Sequence, residues 1–344
     1  MRTRLSVFAL LAVTASPLAA QQPVADQYRA IANRIIEAAL ADSMASWNKL
    51  AAYVDYSGPR LAGSANLERG NAWLLAEMKK DGLANVRGEP AMVPRWVRGK
   101  ESITMIQPRE ADVPMLGLGG SIGTGPAGIT AEVLVVNSFD DLTARAAEAK
   151  GKIVLFDVPF TNYGATVQYR GRGAVAAAKV GALASLIRAV GPFGMRTPHT
   201  GGMQYDSTVA KIPAAAIAME DAMMFHRMQN RGQKVVVTLR MEAQWHPDVP
   251  SHNVMGELVG REKPREIIAM GGHSDSWDVG LGAMDDAGGI VVAWEAINLL
   301  KRLGLTPRRT IRVVGWVNEE NGLRGGNAYR DAHKDEPHSL LIES

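Results

Sequence analysis

The 344-residue sequence carries 38 Lys and Arg against 35 Asp and Glu, 47% apolar and 21% charged residues, and no cysteine. It is long enough for two compact units with a sizeable core, and its 35 Gly and 17 Pro suit α/β architecture better than a helical bundle. The missing cysteines exclude thiolate zinc fingers, disulfide scaffolds and cysteine nucleophiles, leaving His and carboxylates to hold any metal, and the lack of a basic run argues against nucleic acid as a partner.

Residues 1–20 have the layout of a signal peptide: Arg2 and Arg4, an apolar run from Leu5 to Val13, then Pro17 and the small residues Ala19 and Ala20. The run is shorter than the roughly 20 residues that cross a bilayer. The expectation is cleavage near Ala20, export to a periplasmic or secreted location, and no membrane contact afterwards. A helix is then expected over 26–50, with apolar Ile31, Ile35, Ile36 and Leu40, and another over 68–80 with Trp73, Leu74 and Met78. The loop YSGPRLAGS separates them. Strands are expected over 89–93 and 101–106, with Pro90, Pro94 and Pro108 marking edges and turns.

Residues 21–113 thus read as the first part of one domain. At Pro114 the glycine-rich, weakly charged MLGLGGSIGTGPAGITAEVLVV opens a module expected to span 114–245. Its strands fall over 131–136, 152–157, 184–187, 214–218 and 234–239, alternating with helices over 142–149, 173–180 and 220–230.

Residues 246–344 return to the first domain and hold the clearest pattern. REIIAMGGHSDS is a buried strand ending in polar residues, 286–303 is a helix with Ile290, Val291, Trp294, Ile297 and Leu300 on one side, and RRTIRVVGWVNEE is a second buried strand. This βαβ unit, closed by Gly304, predicts an open, mostly parallel mixed sheet with helices on both faces, whose ligands collect beyond the carboxyl ends of the strands.

Both strands deliver ionisable groups at that edge: His273 and Asp275 after the first, Glu319 and Glu320 after the second. Asp285 precedes the connecting helix. Neighbouring strands lie about 5 Å apart, so these groups can converge despite their separation in sequence. One His among several carboxylates suits a divalent metal. His273 supplies a neutral nitrogen, and Asp275 can accept its other N–H. Asp285 could span two metals, while one of the adjacent glutamates ligates and its neighbour serves as general base. Taken singly, each residue has a bland reading, and Asp286 reads as a helix N-cap.

GGHSDSWDVGLGAMDDAGG from Gly271 and RVVGWVNEENGLRGG from Arg312 resemble the co-catalytic two-zinc exopeptidase family, in its carboxypeptidase Q-like branch. GPRLAGS resembles that family's early loop, SHNVMGELVG its strand before the site, and the middle region its inserted protease-associated domain. The resemblance implies His273, Asp285 and Glu320 as zinc ligands, with Asp285 bridging. It assigns Glu319 as general base and Asp275 as the partner of His273, with a cis peptide between Asp285 and Asp286. It also implies a further Asp ligand after HSLLIES and a later His, so the expectation is that these 344 residues are a fragment, inactive or poorly folded alone.

The function so implied is zinc-dependent hydrolysis of small peptides or dipeptides, with the inserted domain as a lid or substrate gate. A binding or receptor ectodomain without catalysis is the alternative, and a homodimer stays open. GGSIG, from Gly119 to Gly123, matches a serine-hydrolase elbow but lacks its flanking strand and helix, so Ser121 reads as loop. The same run is no dinucleotide fingerprint, because Ile122 stands where the third glycine belongs. His199, His226, His246, His252, His333 and His338 read as surface or structural.

Overall fold

Two sheets organise the chain in a computed structural model that describes residues 24–343. The expected leader lies outside the described residues. α1 (Val24–Ala41) separates as a unit of its own. The helix expected over 26–50 is interrupted, since α2 runs Ala45–Ser57 after a turn at 42–44. Asp42 and Ser43, whose short polar side chains compete for backbone hydrogen bonds, sit at the break.

α3 (Ala65–Lys80) starts at a Ser64 cap whose hydroxyl accepts from Leu67 N, and it leads into β1 (Ala84–Val97). β2 (Glu101–Gln107), β3 (Ala111–Val113), β4 (Met115–Gly117) and β5 (Ile129–Val136) follow. Next come α4 (Phe139–Ala144), α5 (Ala146–Ala149), β6 (Ile153–Phe156), α6 (Tyr163–Lys179) and β7 (Ala184–Arg188). β8 (Ala214–Ile217), α7 (Met219–Asn230) and β9 (Val236–Met241) complete the middle region. β10 (Gln244–Leu258), β11 (Lys263–His273), α8 (Gly288–Arg302), β12 (Arg309–Trp316), α9 (Arg324–Ala332) and β13 (His338–Glu343) close the described chain.

The first sheet has the order β1-β10-β12-β11-β13. β11 pairs in parallel with both β12 and β13, whereas β10 runs antiparallel to β12 and to β1. β1 is an edge strand, which is why it absorbs Pro90 and Pro94, residues that give no ladder N–H. On one face α2, α3 and α8 bury Tyr53, Leu74, Met78, Ile290, Trp294 and Ile297 against Val254 and Val313. On the other, Tyr329 of α9 meets Met255, Val314 and Trp316.

The second sheet has the order β3-β2-β9-β5-β6-β7-β8-β4. Its central strands β5 to β8 are buried on both sides, so alternate residues feed two cores: Val133, Val135 and Leu155 enter one, Leu134, Val136 and Phe156 the other. The boundary expected at Pro114 is corrected here. β2, assigned from sequence to the first domain, pairs with β9 from Glu101↔Met241 onward, so the second sheet takes in residues 101–241. Among the described residues no helix is long and apolar enough to cross a membrane.

Candidate metal centre

β11 and β12 finish in register, with His273 opposite Trp316, so the chain leaves both strands at one edge. The segment after His273 is held from the early loop. Arg60, fully buried, donates from Nε to the carbonyl of Ser274 at 2.7 Å, from Nη2 to that of Gly282 at 2.9 Å, and from Nη1 to that of Leu281. Ser276 Oγ accepts from Arg60 N at 3.1 Å. The sequence marked this loop, but not the arginine; a charge in a loop reads as solvated, and only the fold reveals the three carbonyls.

Asp286 ties strand to helix. Its Oδ2 accepts from His273 N at 3.0 Å and its Oδ1 from Gly289 N at 3.1 Å, a capping role as expected. Gly272 makes room for it, since a Cβ there would stand 1.9 Å from Asp286 Oδ2. The preceding peptide, Asp285–Asp286, is cis.

His273 is buried and both ring nitrogens are engaged. Nδ1 lies 2.9 Å from the carbonyl of Asp275, an acceptor only, so it carries a proton. Nε2 faces Asp285 Oδ1 at 2.8 Å and Glu319 Oε2 at 3.7 Å. The expected partnership with Asp275 is thus corrected in detail: its carboxylate stands 3.7 Å from Nδ1, beyond hydrogen-bond reach, and the backbone carbonyl does the orienting. The Asp275 carboxylate, fully buried, instead accepts from Glu319 N at 3.0 Å and Glu320 N at 3.3 Å, aligning both glutamates. Glu320 Oε1 accepts from Trp277 N at 3.1 Å.

The electrostatics follow from crowding. Burial, reinforced by Asp285 and other carboxylates, pushes Glu320 up to about 8. Burial also raises Glu319 and Asp275. For His273 burial acts downward, but Asp275, Glu319 and Glu320 outweigh it and hold the imidazole above its ordinary value. The same crowding of carboxylates draws positive charge to this point: in the neutral ring, whose Nδ1 carries the proton, Nε2 and an Asp285 oxygen are two acceptors facing each other, so either a proton or a cation belongs between them. That donor set fits a divalent cation. Among the described residues no three donors close on one point at ligating distance; the meetings are pairwise.

Two residues at this edge escaped the sequence reading. Glu343, opposite Gly271 at the end of β13, is raised by burial, with the His273 charge opposing. Its signal was the same carboxyl edge, on a third parallel strand. His199, named from sequence only as surface or structural, lies partly exposed on the connection between β7 and β8; partial burial and Arg170 lower it, while the charge of Asp285 acts in the opposite direction.

The remaining histidines lie elsewhere. His226 Nδ1 meets Asp157 at 2.7 Å, and His252 Nδ1 lies 3.6 Å from Glu68. His333 meets Glu89 at 2.8 Å, His338 meets the Tyr329 hydroxyl at 2.9 Å, and His246 pairs in register with Arg95. Ser121 is buried, with its hydroxyl accepting from Ala214 N at 2.8 Å and donating to Ile122 O at 2.9 Å, a structural role.

The sequence profile of peptidase family M28 matches residues 253–342. Carboxypeptidase Q of Bos taurus is 52% identical over 301 residues, 87% of this chain and 64% of that protein. Carboxypeptidase Q of Homo sapiens is 51% identical with the same coverage of 87% and 64%, so the chain spans a little under two thirds of these curated relatives. The crystal structure of a peptidase M28 precursor from Shewanella amazonensis SB2B matches with a TM-score of 0.89 at 35% identity, covering 93% of this chain and 74% of that one. A zinc aminopeptidase from Bacillus subtilis, at 23% identity and TM-score 0.65 over 86% of this chain and 67% of its own, shares the fold.

Proposed function

The chain belongs to peptidase family M28, and from that premise we propose that it carries the metal edge of a zinc-dependent exopeptidase acting on small peptides. The observation that carries this reading is the approach of His273 Nε2 to Asp285 Oδ1 at 2.8 Å, with Glu319 Oε2 at 3.7 Å, beyond the ends of parallel strands. His273 through Nε2, Asp285 and Glu320 would hold the metal. Zinc, when bound, supplies Lewis-acid polarisation of the scissile carbonyl.

The protein's own groups do the rest. Asp286 holds the backbone N–H of His273 and the Asp275 carbonyl holds its ring, so Nε2 is presented without rotation. Asp275 fixes the peptide N–H groups of Glu319 and Glu320, so one glutamate can ligate while the other faces the reacting centre. Glu319 is half-exposed at that edge and raised by burial, a state suited to taking a proton from water and passing it to the leaving amine. The connection between β7 and β8, whose Gly202 approaches the Glu320 carbonyl, lies beside this edge and supports the role of a substrate gate for the middle region. The leader layout supports export. Retention of His273, Asp285, Glu319 and Glu320 together disfavours a purely binding protein.

Zinc content and hydrolysis of a dipeptide panel, measured on the natural protein that contains this sequence, test the reading. Uptake of zinc with turnover is expected; a protein that takes up zinc and hydrolyses no peptide would leave only the binding alternative.

A further inference from the structure

The turn after the metal edge is gripped from the second sheet. Arg98 lies between β1 of the first sheet and β2 of the second, and it is buried. It holds Asp278 in a fork, Nε at 2.8 Å and Nη2 at 2.7 Å, a geometry specific to a guanidinium and a carboxylate. Its Nη1 donates to the carbonyl of Gly117, whose own N–H donates to Glu101 at 3.0 Å. One residue earlier in the turn, the Trp277 ring lies on Gly119, where an added Cβ would stand 1.9 Å from the indole. Gly119 is itself fixed, its N donating to Gly201 O at 2.9 Å and its O accepting from Met203 N at 3.0 Å. Between these two anchors the backbone N–H of Trp277 donates to Glu320 Oε1 at 3.1 Å.

We propose that Arg98, Asp278 and Trp277 are positioning residues for the Glu320 carboxylate, so that the second sheet sets the aim of a metal ligand through the turn at 277–278. The inference rests on the reading of Glu320 as a ligand. One Glu320 oxygen is committed to Trp277 N–H, which fixes the rotation of the carboxyl group and leaves the other oxygen directed by the turn. Among the described residues that carboxylate has no second hydrogen bond: the peptide N–H of Glu320 is used by Asp275, and the carboxylates of Asp285, Asp275 and Glu319 repel its side chain, with the His273 charge opposing them. Loosening the turn therefore releases the carboxylate, and loss of such an outer partner typically costs roughly 10–100-fold in metal affinity.

The test measures the zinc dissociation constant of the natural protein by competition with a chromophoric chelator. Circular dichroism of the metal-free forms confirms that each variant is folded. Asp278→Asn and Trp277→Ala are expected to weaken zinc roughly 10–100-fold, and Trp277→Phe, which keeps a ring on Gly119, to restore most of it. Asp278→Asn added to Glu320→Gln is expected to give no further loss, because its effect passes through that carboxylate. Losses that add in the double variant, or an unchanged constant in folded Asp278→Asn or Trp277→Ala, overturn the inference alone. A wild-type protein that takes up no zinc overturns the reading of Glu320 as a ligand, and this inference with it.

Discussion

Nε2 of His273 and Oδ1 of Asp285 stand 2.8 Å apart while Nδ1 of the same ring is committed to the carbonyl of Asp275 at 2.9 Å. In the neutral ring both facing atoms are acceptors, so the pair is satisfied only by a proton or a cation between them. A cation that binds the folded state stabilises it by mass action, about 2.7 kcal/mol when its free concentration is 100 times its dissociation constant. Thermal unfolding with and without a chelator checks this. His273→Ala should remove most of the zinc-dependent shift.

In the proposed function Glu319 is the group that moves the proton. Glu319→Gln keeps the size and the peptide N–H held by Asp275, so zinc content should match wild type while kcat falls roughly 10²–10⁴-fold. Turnover within a few-fold of wild type would move the general base to another residue.

Asp286 satisfies two backbone N–H groups, those of His273 and Gly289. Asp286→Ala leaves both buried donors without it and should cost about 2–3 kcal/mol by urea denaturation. Gly272→Ala, which drives a Cβ to 1.9 Å from the same carboxylate, should produce a comparable loss.

Arg60 is held among the carbonyls of Ser274, Leu281 and Gly282. Arg60→Met preserves much of the volume but strands these acceptors, so a loss of about 3 kcal/mol is expected. Hydrogen exchange should then accelerate across 274–282 before other parts of the sheet; uniform acceleration would mean that the arginine acts only on global stability.

Away from the metal edge, Glu336 is matched to Arg312 at 2.6 and 2.9 Å. Burial alone would raise its carboxyl, but Arg312, with His333 and His338, holds it below the ordinary range. A depressed carboxylate contributes stability that is present above its unfolded value and lost as pH falls through the folded one. The wild-type melting temperature should therefore drop on acidification below about pH 4.5, and Glu336→Gln should flatten this part of the profile while lowering stability near neutral pH.

The gathering of His273, Glu319 and Glu320 at one rim was legible because the pattern is local. His273 follows a continuous apolar run, Glu319 and Glu320 follow another, and a helix of suitable period joins the two strands, so handedness and parallel pairing bring the groups to one rim. The alternating elements of the second sheet were legible for the same reason. Less accessible was the interruption of the first helical pattern at 42–44, where apolar spacing continues across polar turn residues.

The sequence by itself determined which chemistry is present: imidazole and carboxylates at strand ends, with no thiol to compete. Tertiary structure alone decided who serves whom. A seven-residue strand such as β2 has no address in its own side chains, and pairing with β9, more than a hundred residues away, assigns it to the second sheet. The Asp275 carboxylate turns to two peptide N–H groups instead of the imidazole two residues away, and Arg60 finds its carbonyls more than two hundred residues further on. Periodicity records which face a residue takes; the partner of a buried polar group is set by what the rest of the chain leaves unsatisfied beside it.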